Sequence, residues 1–371
     1  MKIRTYAAGS LREYIECISE VSKLIGKEKK DDDIGLASPP VLWFRGQNKT
    51  IYPLLPSLYR NRKRVETGGG LEMLYEEEIR VQHYMAKNFH LLQAVPSTKM
   101  EWLEVMQHHG IKTRLLDWSE SAIHSVLFAL ESFFDGKAYD DEYRHQCTPC
   151  VWILDPSKLN KLIFREIRNE LAAETDQTGC ISGLREELTE RLEIDAEEVD
   201  KLLLQYSSFE EYMEIGDTHQ INYILNLSKI SEELLKAEKG LRNFDVNGGK
   251  INPYYYAIAR IYSDGLGLSE SKLPPLAIVN PYHSERIKAQ KGVFTVFPYY
   301  REQEGDRTIR EMGINPGAMD SNKIARECLF KIDLHSPQEI AYELMAAGIN
   351  TSWLYPEMPI IANEIENRKV F

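Results

Sequence analysis

The chain has 371 residues, with 45 Lys and Arg against 57 Asp and Glu, a formal net charge of −12. That balance excludes a protein that coats nucleic acid with its whole surface, because phosphate binding needs a basic footprint. Hydrophobic residues at 43% and aromatics at 10% exclude general disorder, and no apolar run approaches the roughly 18 residues of a membrane span.

The charge is uneven. Residues 174–200 carry ten acids and two arginines, Arg185 and Arg191, whereas residues 41–118 carry eleven Lys or Arg and eight acids. The start, Met1 to Ser10, has no long apolar core after its charges, which predicts no secretory leader. Five cysteines, at 17, 147, 150, 180 and 328, are few and odd in number. A reduced, cytoplasmic protein is expected.

Ser10-Leu-Arg-Glu13 has the pattern of a capping box, and Tyr14, Ile15, Ile18, Val21 and Ile25 follow at helical spacing. A helix is expected over about 10–27. Val41-Leu-Trp-Phe44 reads as a short strand that turns at Arg45-Gly46. Residues 47–70, with Pro53, Pro56 and Gly68-Gly-Gly70, predict irregular backbone. Helices are expected near 71–90, 98–109 and 120–134. Thr113 to Ser119 reads as a loop before the last of these, capped by Asp117 or Ser119. Val151 to Leu154 reads as a buried strand. Residues 157–250 are polar and nearly free of proline, with Leu184, Leu188 and Leu192 at helical spacing, and predict an acidic helical insertion. Strands return at Leu276–Val279, Gly292–Phe297 and Cys328–Asp333, before a helix from Ser336 to Ala347. The expected fold class is α+β: a mixed sheet core with flanking helices and an all-helical insertion. The expected division is a helical N-terminal segment 1–34, a first core part 35–156, the insertion 157–250 and a second core part 251–371.

Three segments together carry a resemblance. The first is Trp43-Phe-Arg-Gly-Gln47, followed by Tyr52-Pro-Leu-Leu-Pro-Ser-Leu-Tyr59. The second runs through Glu101-Trp-Leu, Met106-Gln-His-His-Gly110 and Thr113-Arg-Leu-Leu-Asp-Trp-Ser119. The third is Asn280-Pro281, Arg286-Ile287, Gln290, Gly292 and Phe294. This ordered set resembles the FRG domain family, named for its Phe-Arg-Gly segment. His109 stands where the family usually has Tyr or Phe, and Lys112 where it usually has Pro. The resemblance implies a bacterial or phage protein, with a toxin or anti-phage defence effector as the expected role. It carries no settled reaction, so the chemistry is read from the residues.

An arginine at a strand end presents a planar fork suited to phosphate or carboxylate. A glycine beside it lets backbone approach a ligand closely. Arg45-Gly46 also resembles the NAD-grasping arginine of ADP-ribosyltransferases, in which a later strand brings a Glu or Gln to the nicotinamide ribose. Gln290 stands where that residue would be. On this reading NAD is the substrate, held by Arg45, Gly46, Gln47, Arg114 and Asp117, with Arg45, His108 and Gln290 in the reaction and a protein or nucleic acid as acceptor. Arg45 could equally pair with Asp117 or a glutamate such as Glu77, and Arg114 with Asp117. His108 or His109 at a helix end could act as acid or base, which suits a nuclease or phosphodiesterase; histidines also favour helix C-termini for the dipole. Trp118 could stack on a base, or anchor the core. Cys147-Thr-Pro-Cys150 has redox spacing, but it precedes a strand rather than opening a helix. No set of four metal ligands follows at a usual spacing, so no metal is expected. Arg60, Arg62, Lys63 and Arg64 form a basic run that could bind nucleic-acid phosphates, or, at Arg62–Arg64, a solvated loop. A non-catalytic module that binds a nucleotide or partner is the remaining reading. The acidic segment 174–243 is the expected surface for a basic partner or for self-association.

Overall fold

The computed structural model describes residues 2–28, 39–60, 70–88, 90, 95, 96, 98–134, 148–172, 197, 258, 261, 262, 273–279, 284–298, 317–355 and 358. Apart from Glu197, the segment 174–243 lies outside the described residues, as do Arg62–Arg64, Cys147, Cys180 and Asn280-Pro281.

Seven strands make one mixed sheet: β1 (Arg4–Ala8), β2 (Trp43–Gln47), β3 (Leu115–Ser119), β4 (Cys150–Leu154), β5 (Leu276–Ile278), β6 (Gly292–Val296) and β7 (Leu329–Leu334). Their order across the sheet is β1-β7-β4-β2-β3-β6-β5. β1 and β7 run parallel; the other neighbours are antiparallel. The helices are α1 (Leu11–Glu28), α2 (Gly70–Asn88), α3 (Lys99–His108), α4 (Ala122–Phe134), α5 (Pro156–Ala172), α6 (Glu285–Ala289) and α7 (Pro337–Ala346). The architecture is α+β, with a mixed sheet flanked by helices.

Helix ends follow local chemistry. Ser10 Oγ accepts from Glu13 N at 3.2 Å, and the Glu13 carboxylate accepts from Gly9 N at 2.7 Å. This is a capping box shifted by one donor. Thr98 Oγ1 caps α3 through Glu101 N at 3.2 Å. Gly110 at φ 81° closes the same helix: its N–H meets Gln107 O at 2.9 Å, and Ile111 N meets Met106 O at 3.0 Å. That pair of bonds is the Schellman closure, and the left-handed backbone requires glycine. The helix near 120 is capped by neither Asp117 nor Ser119. Ser121 Oγ accepts from His124 N at 3.4 Å, while Ser119 Oγ accepts from Ser121 N and donates to Gln290 O.

Alternation along β2, β4 and β7 separates two cores. Trp43, Trp152, Leu154 and Leu329 join one apolar cluster, whereas Phe44, Val151, Ile153 and Phe330 join the other. Tyr14 and Val21 of α1, Val126 and Leu127 of α4, and Leu344 of α7 complete the second cluster. Each such fully buried side chain is worth roughly 1.5–3 kcal/mol. The segment Thr113 to Ser119, expected as a loop, forms β3: Leu115, Leu116, Trp118 and Ser119 are buried and only Asp117 faces water. β1 had no counterpart in the sequence reading. It is an edge strand with a mostly exposed surface, so it lacks the apolar alternation that marks a strand.

β2 continues past the expected turn through Arg45, Gly46 and Gln47. Gly46 lies against α4 so closely that a Cβ would stand 1.9 Å from Ser125 O and 2.7 Å from Ala129 N. Both are backbone atoms of a helix and cannot swing aside. Gly46→Ala is expected to lower stability by about 3 kcal/mol, at the upper end of overpacking costs. Urea unfolding of the two proteins measures this, and equal midpoints would contradict the contact.

Candidate functional site at the splayed β2–β3 junction

Most neighbouring strands share three to five paired residues, but β2 and β3 share one, Phe44 with Ser119. Beyond it the two strands part. The Arg45 side chain crosses the gap, and Nη1 donates to the Asp117 carbonyl oxygen at 2.6 Å. The Asp117 carboxylate lies 3.8 Å from the same nitrogen. Arg45 is 16% exposed and Asp117 59%. Arg45 Nε is buried and has no hydrogen-bond partner among the described residues. Burial lowers the Arg45 pKa to about 10; Asp117 opposes the shift, and the neighbouring Arg60 adds to it. The guanidinium is still a full cation at neutral pH.

Register gathers other polar groups on this face. Arg45 pairs with Trp152, which pairs with Lys331; Gln47 pairs with Cys150, which pairs with Asp333. Paired residues of an antiparallel ladder point to the same side. Lys331 Nζ lies 5.6 Å above the Trp152 ring and 2.8 Å from Asp333 Oδ1. Thr50 Oγ1 donates to the same carboxylate oxygen at 3.2 Å. Arg60 is held by a bond from Nε to Leu55 O at 2.9 Å. Lys331 and Asp333 therefore stand on the Arg45 side of the sheet, and Arg60 is close enough to act on Arg45.

A second layer supports Asp117. Gln107 Nε2 donates to Asp117 Oδ1, and Gln107 Oε1 accepts from Thr113 Oγ1. Thr113 Oγ1 in turn accepts from Leu115 N at 3.2 Å. The Schellman closure of α3 turns the chain back so that Gln107 and Thr113 meet.

The sequence-derived site residues divide. Arg45 and Asp117 come together. Gly46 adjoins them, but its close approach is to α4, not to a ligand. Gln47 is buried, and its Oε1 accepts from Trp152 Nε1 at 2.9 Å; it fixes the tryptophan rather than meeting solvent. Arg114, expected to contact the cofactor, is corrected to a core residue. It is 0% exposed, its Nε donates to Glu77 Oε2 at 2.9 Å, and Nη1 donates to the carbonyls of Tyr262 at 2.6 Å and Phe297 at 2.8 Å. A ligand outside the core does not reach it. Glu77 is thus the partner of Arg114, not of Arg45.

Gln290 is also elsewhere. Its Nε2 donates to Leu354 O at 2.8 Å. It precedes Gly292, which pairs with Ser119, whereas Arg45 meets β3 at Asp117, about 6–7 Å back along the strand. The described geometry does not bring Arg45 and Gln290 side chains together. His108 is half-buried at the end of α3, edge-on to His109 at 5.0 Å, and His109 packs on Tyr84 at 6.2 Å. Gln107 of the same motif joins the cluster. Trp118 anchors the core, with Nε1 donating to Thr295 Oγ1 at 3.1 Å. Burial pushes the Cys150 thiol up to about 12, so it stays protonated and is no nucleophile at neutral pH.

Gln107, Lys331 and Asp333 carried no assigned role in the sequence reading, whereas Arg60 was read as part of a basic run. Gln107 was visible inside its motif; Lys331 and Asp333 are marked only by β7 pairing. Among the described residues no three His, Cys, Asp or Glu side chains stand together as metal ligands would, and no helix is long and apolar enough to cross a membrane.

A mixed sheet with a cationic face at a strand splay defines the class of site. Residues 41–137 match the FRG domain family. The match spans β2 to the end of α4 and takes in Arg45, Gln107, Thr113 and Asp117. No curated protein and no solved structure matches the chain.

The two arginines predict different outcomes. Removing one partner of a buried pair leaves an uncompensated charge and costs roughly 3–5 kcal/mol. Glu77→Ala is expected to fall in that range in urea unfolding. Asp117→Asn, at an exposed position, is expected to change stability by about 0.5 kcal/mol or less.

Proposed function

We propose that the chain binds a nucleotide at the splayed β2–β3 junction, that the nucleotide is NAD, and that ADP-ribose is transferred to a protein or nucleic acid. One observation carries the reading: Arg45 holds a cationic fork in the gap between two strands with a buried, unpartnered Nε. Buried polar groups are nearly always paired, and leaving one unpaired costs roughly 1–3 kcal/mol. An anionic oxygen at Nε would satisfy it with a charge-assisted bond. Arg60, close enough to act on Arg45, adds charge for a second phosphate, whereas Lys331 is already paired with Asp333. The FRG match supports a site at this segment, since it contains Arg45 and Asp117.

The transfer breaks the glycosidic bond from ribose to nicotinamide and joins the ribose carbon to an acceptor nucleophile. A cationic sugar transition state needs a nearby carboxylate or amide. In this reading Asp117, exposed beside Arg45, takes that part, because Gln290 is turned to Leu354. A toxin or phage-defence effector is the role such chemistry suits.

Calorimetric titration with NAD and with ADP-ribose, together with nicotinamide release in the presence of cell extract, tests this. Arg45→Ala is expected to weaken binding at least about tenfold, the loss of one charge-assisted contact. The pH dependence follows from the lowered Arg45 pKa. Below about 10 the guanidinium is protonated and affinity is flat; above it the cation is lost and affinity for the anion falls. Wild-type binding without turnover would leave a binding module and remove the transferase. No binding of either nucleotide would remove both.

A further inference from the structure

We infer that Gln107 is a positioning residue for Arg45: its amide holds Asp117 so that the aspartate pins the arginine across the β2–β3 gap with Nε left for a ligand. The inference rests on the reading of Arg45 as the ligand-binding group. Asp117 has two oxygens and two neighbours. Oδ1 is taken by Gln107 Nε2, and Oδ2 is the oxygen nearest Arg45 Nη1, at 3.8 Å. Without the amide, an exposed aspartate is free to rotate and take the guanidinium itself, Nε included, in a bidentate pair. The amide keeps the pair long and monodentate, and the main contact of Arg45 stays on the Asp117 backbone carbonyl at 2.6 Å.

The orientation of the amide is itself fixed. The ionised Asp117 carboxylate only accepts, so it takes the Nε2 side of the amide. That turns Oε1 to Thr113, whose hydroxyl donates to it while its oxygen accepts from Leu115 N at 3.2 Å. Thr113 is fully buried, which keeps water from competing for the bond. A glutamate at 107 would match the shape but place a carboxylate against Asp117, and two carboxylates in contact cannot both ionise without repulsion. On protonation the same glutamate becomes a donor and reproduces the glutamine.

The test is ADP-ribose binding by calorimetry at pH 7.5 and pH 5.0, where the charge on its pyrophosphate diester is constant. Wild type is expected to bind alike at both. Gln107→Glu is expected to bind at least about fivefold more weakly at pH 7.5 and to return to within about twofold of wild type at pH 5.0. Thr113→Val, which removes the hydroxyl that donates to the amide, is expected to weaken binding about two- to fivefold at both pH values, with far-ultraviolet spectra and melting curves checking that each variant is folded. Gln107→Glu binding like wild type at pH 7.5, or staying weak at pH 5.0 while folded, overturns the inference and leaves the Arg45 site intact. Absence of wild-type binding overturns the Arg45 reading, and this inference with it.

Discussion

Among the described residues, one bridged pair and the Arg45 side chain join the two halves of the sheet. β1, β7, β4 and β2 form one half, and β3, β6 and β5 the other. Phe44 with Ser119 is the ladder contact between them, and past it the Arg45 guanidinium replaces the missing backbone bond by donating to the Asp117 carbonyl. At this point in the fold the donor is a charged side chain rather than an amide. α4 packs along β2 and also touches β3 and β4, so it backs the junction from the opposite face. Gly46 is what lets it lie close enough to do so. The strand splay, the glycine and the arginine are one construction.

The two arginines in the neighbouring motifs show how environment assigns roles to one residue type. Arg114 is sealed in the core and is answered by a carboxylate and two carbonyls. It links α2, the segment after β6 and the residues around Tyr262, and its charge is spent inside the protein. Arg45 is almost as deeply set, yet its carboxylate partner is long and exposed. Desolvation of a cation without a close counter-ion is costly, and the pKa of about 10 reflects that cost. Such incomplete neutralisation is what a binding site for an anion requires.

Much of the frame was legible because it follows local rules. The Ser10–Glu13 box, the glycine at 110 and the apolar run before Leu154 each specify a backbone conformation by themselves. β3 was not legible as a strand, because Leu-Leu-Asp-Trp-Ser is short and buried on both faces apart from Asp117. Such a run gives no alternation to read. The chemistry divided along the same line. Arg45 and Asp117 stand 72 positions apart, and motif order alone suggested that they meet. Arg114 sits three residues from Asp117, and closeness in sequence suggested a shared site. Strand geometry forbids it: neighbours along a strand point to opposite faces, and one of the two is in the core while the other is in water. Lys331 and Asp333 were invisible, since only the β2–β4–β7 register brings them to Arg45.

The boundary of the family match separates two sets of side chains around the junction. Arg45, Gln107, Thr113 and Asp117 all fall within residues 41–137, and together they form a closed set of bonds from α3 through β3 to β2. Lys331 and Asp333 come from β7, outside that segment, and enter through strand pairing. The first set determines whether a cationic fork is held open at the junction. The second determines how much charge surrounds it, because Lys331 is already paired with Asp333 at 2.8 Å and contributes a dipole more than a free cation. On the proposed reading the matched segment would supply the cation that meets an anion, and β7 the charge beside it.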